Sequence, residues 1–477
     1  MHKKGITLVA GLSLALCCAT YPVRSSSGPA GSKTAGSPTT FNKDVAPILQ
    51  KQCVVCHMPD GMAPMSLMTY KDARPWAKSI REAVLDRKMP PWHADPRYGE
   101  FSNDRRLSKE QIDTIVAWVD GGSLKGGDED LPAVEFQEGW RIGKPDFVLT
   151  MPQEFTLQAE GPDEYQYFVV PTNFAEDRWV QAAEARPGNR RIVHHIIAFV
   201  RPPRPKGDGK PQDVARSARP QRKESIFYQD GTLIRVKDSV PVHDSGCETP
   251  EGGHGIFMDG TGRDVMPALL CGQAPGRDAD VWPAGMAKRI PAGAELLLQI
   301  HYSKNGSVEK DRSSIGLTFA RQPPEKEIFT EPIQNHYFLI PPGAENHEVS
   351  SCHNFSEDVH ILSLMPHMHV RGKDMQVKAM FPTGDPKILL YVPNYSFSWQ
   401  TTYYYKKPVP IARGTRIEVT AHFDNSKKNI TNPDPAKTVR WGDPTYDEMM
   451  IGWVDYVKDD QKLTSPSAGA AKSGPAK

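Results

Sequence analysis

Residues 53–57 read Cys-Val-Val-Cys-His, and no other stretch restricts the fold of this chain so strongly. Two thiols two residues apart, followed directly by a histidine, form the attachment signature of a c-type haem. The thiols add across the two vinyl groups of the porphyrin, the Val54-Val55 spacer sets their separation, and His57 reaches under the ring to ligate iron. One covalent haem c is therefore expected on Cys53, Cys56 and His57. A zinc half-site or a redox pair fits less well, because the chain has no second Cys-x-x-Cys and the histidine is in place.

The second axial ligand is expected to be a methionine. Met58, Met62, Met65 and Met68 sit close to His57 on a Gly/Pro-rich turn, which leaves little chain to cross to the other face of a haem. Met89 follows the amphipathic segment Trp76–Arg87 and opens Met-Pro-Pro-Trp. The prolines stiffen a loop that must hold a weak thioether ligand, so Met89 is the expected partner of His57. A helix from Ser108 to Gly121 closes the module. Ser108 has N-cap character, and Ile112, Ile115, Val116 and Val119 fall on one face. Residues 41–125 thus resemble a small all-α, class I-like cytochrome c domain.

The amino terminus reads as an export signal over residues 1–19. Met1-His-Lys-Lys is basic, Ile6–Leu16 is apolar but too short for a permanent membrane span, and small residues follow. A periplasmic or secreted bacterial location is expected, with membrane attachment only if Cys17 or Cys18 is lipidated. Residues 20–40 are rich in Ser, Gly, Pro and Thr and read as a flexible tether, and residues 461–477 as a disordered tail. Residues Gly121–Leu131, rich in Gly and Asp, read as a linker that lets the haem module approach His194, His195 and His301 rather than holding it fixed. The net charge of +1 gives no electrostatic case for nucleic acid. Of the remaining cysteines, Cys247–Cys271 is the expected disulfide and Cys352 is left over.

From about residue 145 the texture changes to short alternating or apolar runs bounded by Pro and Gly. Examples are Ile192–Val200, Glu295–Tyr302, His360–Met365 and Arg416–Phe423. With 43 prolines and 38 glycines in 477 residues, short strands and turns are expected. Two successive all-β sandwich domains fit, over 145–330 and 331–460.

Several of the 15 histidines sit where metal ligands would. His194 and His195 are adjacent within an apolar strand. Neighbours on a strand point to opposite faces, so sharing one metal requires a twist or a strand end there. His301 lies in Leu-Gln-Ile-His-Tyr. His367-Met-His369 is an i, i+2 pair with both imidazoles on one face. Asp447-Glu-Met449-Met450 opens an apolar strand and supplies thioethers. Imidazoles with one methionine, and no thiolate, suit copper in either oxidation state. His422 and His254 read as structural.

These motifs occur in an order that resembles the copper type II, ascorbate-dependent monooxygenases. The resemblance covers about residues 150–457 and implies two jelly-roll-like sandwiches facing a cleft. It implies two copper ions, one on His194, His195 and His301, the other on His367, His369 and Met449. The second, catalytic copper would use dioxygen to hydroxylate a C–H bond of an organic substrate. Met450 competes with Met449, but only Met449 keeps the Asp-Glu-Met frame.

Two departures bear on function. Ser363-Leu-Met-Pro precedes His367 where the peptide-acting members carry an arginine, and Trp453 stands after Met449 where they carry a tyrosine, so a C-terminal glycine peptide is not expected as substrate. The fused haem module suggests electron delivery from a periplasmic donor or an ascorbate-like reductant. The other possibility is a non-catalytic haem and copper electron-transfer or copper-binding protein.

Overall fold

The computed structural model describes residues 38–59, 61, 63–133, 139–203, 226–229, 232–235, 241–242, 247, 268–277 and 279–463. The expected export signal, most of the tether, His254 and all but the first few residues of the expected tail lie outside the described residues.

The helical part comprises helices Ala46–Gln52, Tyr70–Ala73, Ala77–Leu85 and Lys109–Asp120. The last begins as the sequence predicts: Ser108 Oγ accepts from Gln111 N–H, and the Gln111 side chain accepts from Ser108 N–H. This reciprocal cap satisfies two otherwise orphaned donors. Phe41, Leu49, Ile80, Ile115 and Trp118 form its core. Among the described residues, no helix is long and apolar enough to cross a membrane.

Gly121–Leu131 is not a free linker. Leu124 and Lys125 carbonyls accept from the N–H groups of Phe41 and Asn42. Trp118 Nε1 donates to Leu124 O, and Asn42 Nδ2 to Gly127 O. The segment folds back over the first helix because these backbone groups complete each other there.

Two sandwiches follow. In the first, the sheet formed by Glu164–Pro171, Glu295–Tyr302, Val193–Arg201 and Ala268–Gln273 packs against a sheet that includes Arg178–Arg186 and Ser314–Phe319. In the second, Phe329–Gln334, Ile451–Lys458, Val359–His367 and Tyr403–Ile411 form one sheet, and His347–Asn354, Arg416–Phe423, Gly372–Met380 and Lys387–Val392 form the other. Each has its own buried apolar cluster. The Glu295–Tyr302 strand is buried on both faces. Leu296, Leu298, Ile300 and Tyr302 enter the first core, while Leu297 joins Phe199, Leu269 and Trp453 of the second sandwich in a separate cluster between the sandwiches.

The helical part does not stand alone. Residues after Pro91 run across the second sandwich: Asp95 N–H donates to Tyr391 O, Ser102 N–H to Tyr404 O, and Lys406 N–H to Glu100 O. Phe101 is 4% exposed and packs between the tilted rings of Tyr403 and Tyr405, with ring centroids 5.3 and 5.0 Å away. Removing such a ring costs about 3–5 kcal/mol, so this strap fixes the helical part in place.

The cysteine expectation is overturned. Cys247 pairs with Cys352 across 105 residues, and Cys271 is a buried free thiol in the Ala268–Gln273 strand. Sequence proximity favoured the wrong partner because the fold, not chain separation, decides which Cα atoms come within disulfide reach.

Candidate metal centres and a cofactor cavity

The His194-His195 problem is solved by a β-bulge. Along the paired strands His301 lies opposite His195, but Tyr302 lies opposite Val193, so His194 is the extra residue. A bulge re-aims the side chain that ordinary alternation would send to the opposite face. His194, His195 and His301 consequently place one ring nitrogen each within 4.8 Å of one another. Nδ1 of His194 and Nδ1 of His195 are 3.5 Å apart. His301 Nε2 is engaged with Asp163 Oδ2 at 2.9 Å, and its Nδ1 is buried without a hydrogen-bond partner. A buried nitrogen left unpaired is costly, and a metal ion would satisfy it. Tyr165, the next residue across the sheet, stacks on His301 with centroids 4.3 Å apart.

The second set stands at a strand end. His367 closes the Val359–His367 strand, and His369 follows two residues on. Met368 between them points into the second core and is fully buried, as i, i+2 spacing predicts. His367 Nδ1 donates to Gln400 Oε1 at 2.9 Å, and His369 Nδ1 to the Asp447 carbonyl at 3.1 Å. These bonds leave Nε2 of each ring for a metal. Met449 lines the same space as both histidines, whereas Met450 is fully buried in the second core. The Asp-Glu-Met triplet works as a unit, because Glu448 accepts from the N–H groups of His369 and Arg371 at 2.8 and 2.6 Å.

Burial keeps His194, His195, His367 and His369 neutral at pH 7. It lowers His194 and His367 to about 4 and His369 to about 3, and His195 falls well below its ordinary value. Neutral rings are the form that binds metal. His195 of the first set and His367, His369 and Met449 of the second border one narrow space of about 40 Å³ between the sandwiches, with Tyr165, Gln299, Met365 and Trp453 on its walls. Phe397 separates the sets: it stacks on His194 at 5.6 Å and meets His369 edge-on at 5.7 Å. His422 is accounted for as a structural residue, since its Nδ1 bonds Asp374 at 2.8 Å within a sheet.

A second cavity, of about 370 Å³, lies where the helical part meets both sandwiches. Cys53, Cys56, His57 and Met89 all line it, together with Leu67, Ile80, Val84 and Trp92. His57 Nδ1 donates to Met65 O at 3.1 Å, which orients the ring and leaves Nε2 for a ligand. Met65 also lines the cavity, but this bond places its backbone behind the His57 ring. Burial raises the Cys53 thiol to about 12. Apolar walls, two thiols, an oriented histidine and a methionine fit a haem.

Asp163, Phe397, Gln400 and Glu448 were not singled out from sequence. Glu448 lay within a quoted motif, whereas nothing in Ser-Phe-Ser-Trp-Gln marked the loop that holds Phe397 and Gln400.

Known proteins were compared with the chain. No curated protein sequence matches it. Among solved structures, the crystal structure of the major capsid protein P2 from Bacteriophage PM2 is similar over 65% of this chain and 97% of that one, with 7% identity and a TM-score of 0.21. These values are too low to bear on fold or function. Residues 332–470 match the family model of copper type II ascorbate-dependent monooxygenase, C-terminal domain. The matched stretch contains His367, His369 and Met449, supports a copper-dependent monooxygenase, an oxidoreductase, and implies ascorbate and dioxygen as its partners.

Proposed function

We propose that this protein is an exported dicopper monooxygenase that hydroxylates a C–H bond, with electrons supplied through its own c-type haem. The observation that carries this reading is the pair of ligand sets, one all-imidazole and one with a thioether, joined by a space between the sandwiches that His195 of the first and His367, His369 and Met449 of the second line. His194, His195 and His301 hold one copper through Nδ1. His367 and His369, through Nε2, and Met449 hold the other. Bound copper supplies reversible one-electron chemistry and a site for dioxygen. Asp163 orients His301, while Gln400 and the Asp447 carbonyl fix the tautomers of the second pair. Cys53 and Cys56 would hold the haem covalently, and His57 and Met89 would ligate its iron. Export rests on the amino-terminal sequence alone, and suits both haem attachment and the disulfide.

The walls near the second set are apolar: Ile197, Phe199, Leu269, Met365 and Trp453. The nearby Arg277 is bound to Asp280 at 3.0 Å, so among the described residues lining this space no free cation is placed for a carboxylate. An uncharged substrate fits better than a peptide carboxylate.

The test is dioxygen uptake by haem-containing, copper-loaded, reduced protein. Uptake is expected, and it should be lost in Met449→Ala and in metal-free protein. Copper-loaded protein that cycles electrons but never consumes dioxygen would instead make the chain an electron-transfer protein.

A further inference from the structure

One loop forms a wall of the haem cavity and touches both copper sets. Trp399 and Thr401 line the cavity with Cys53, Cys56, His57 and Met89. Gln400, between them in sequence, instead lines the space between the sandwiches, and its Oε1 accepts from His367 Nδ1 at 2.9 Å. The Gln400 N–H donates at 3.1 Å to the carbonyl of Pro275, itself a cavity residue. Gln400 is 5% exposed.

We infer that Gln400 is the electron bridge from haem to copper, and that electrons enter the copper pair at His367 rather than at the His194, His195 and His301 set. This rests on the haem and copper reading given above. The route consists of the peptide bond joining Gln400 to a cavity-wall residue, the Gln400 side chain, and one hydrogen bond to a ring whose other nitrogen is free for copper. The competing route runs through Phe397, which is not a cavity-wall residue and meets His194 only by ring stacking at 5.6 Å. Along the Gln400 route a single electron leaves ferrous haem, which becomes ferric. The cupric ion on His367 receives it and becomes cuprous. No bond breaks and no proton moves. A one-electron donor of the ascorbate class restores the ferrous haem.

The experiment uses the full chain with haem and cupric copper, without oxygen. A light-triggered one-electron donor reduces the haem. Haem absorbance then follows its reoxidation, and freeze-quenched electron paramagnetic resonance shows which cupric signal disappears. In the wild type, the signal absent from His367→Ala should vanish first. Gln400→Leu should slow reoxidation by about tenfold or more at unchanged copper content, Gln400→Glu should restore most of the rate, and Phe397→Leu should leave it unchanged. Equal rates in wild type and Gln400→Leu would overturn the route while leaving the electron-supply reading intact. Haem that never reoxidises in the wild type would overturn that reading itself. Should Gln400→Leu lose copper, slowing by Phe397→Leu or first loss of the His194-set signal would still overturn the route.

Discussion

The first ligand set sits on a bulged pair of strands and turns Nδ1 inward, whereas the second sits at a strand end and turns Nε2 inward. The difference extends outward. Behind His301 stands a carboxylate, Asp163, at 2.9 Å, held low by the hydrogen bond from that imidazole. Behind His367 and His369 stand a neutral amide and a backbone carbonyl. A carboxylate behind an imidazole makes it a stronger donor and so favours cupric copper, while a thioether favours cuprous copper. Residues of one kind thus serve two tasks because the backbone decides which nitrogen each presents and what stands behind the other. By that contrast the first set gives up an electron readily and the second holds one.

The comparison is broken most severely by deleting ligands. His194→Ala or His301→Ala should remove one copper per chain, and His367→Ala or His369→Ala the other, so each leaves about half the metal. Metal analysis of purified variants checks this, and loss of both ions from one substitution would mean a single shared cluster. A finer change is Asp163→Asn, which keeps shape but removes the charge behind His301. It should weaken copper at the first set by about 10–100-fold and leave the second unchanged, as competition with a calibrated chelator would show. An equal loss at both sets would erase the proposed contrast.

The smallest effect concerns acid stability of the metal-free protein. His194 and His367 titrate near 4 when folded against 6.5 when free. Between those values the unfolded chain binds more protons, so stability is full above pH 6.5 and falls as pH drops toward 4. Chemical denaturation across that range should show the slope, and His367→Ala should flatten it. A pH-independent midpoint would contradict the buried, neutral imidazoles.

How much was legible in the sequence depends on whether the information was local. The His367-Met-His369 pair was readable because a period of two is a property of any strand, and Met368 in the core is its counterpart. The capped helix after Ser108 was readable for the same reason. His194-His195 announced a conflict with strand geometry but not its resolution, since a bulge depends on the partner strand. Docking of the helical part was not legible: Trp92 and Phe101 are two aromatics among many until Tyr403 and Tyr405 arrive from 300 residues away. The same holds for Gln400, whose importance comes only from the two walls it joins, and for the Cys247–Cys352 pairing.

The central proposal is that the two ligand sets hold two distinct copper ions, one on each sandwich. Diffraction from copper-loaded crystals at the copper absorption edge tests it most directly. Two anomalous peaks are expected, one bonded by Nδ1 of His194, His195 and His301, the other by Nε2 of His367 and His369 with Sδ of Met449. A single peak shared between the sets, or no peak at either, would contradict the claim.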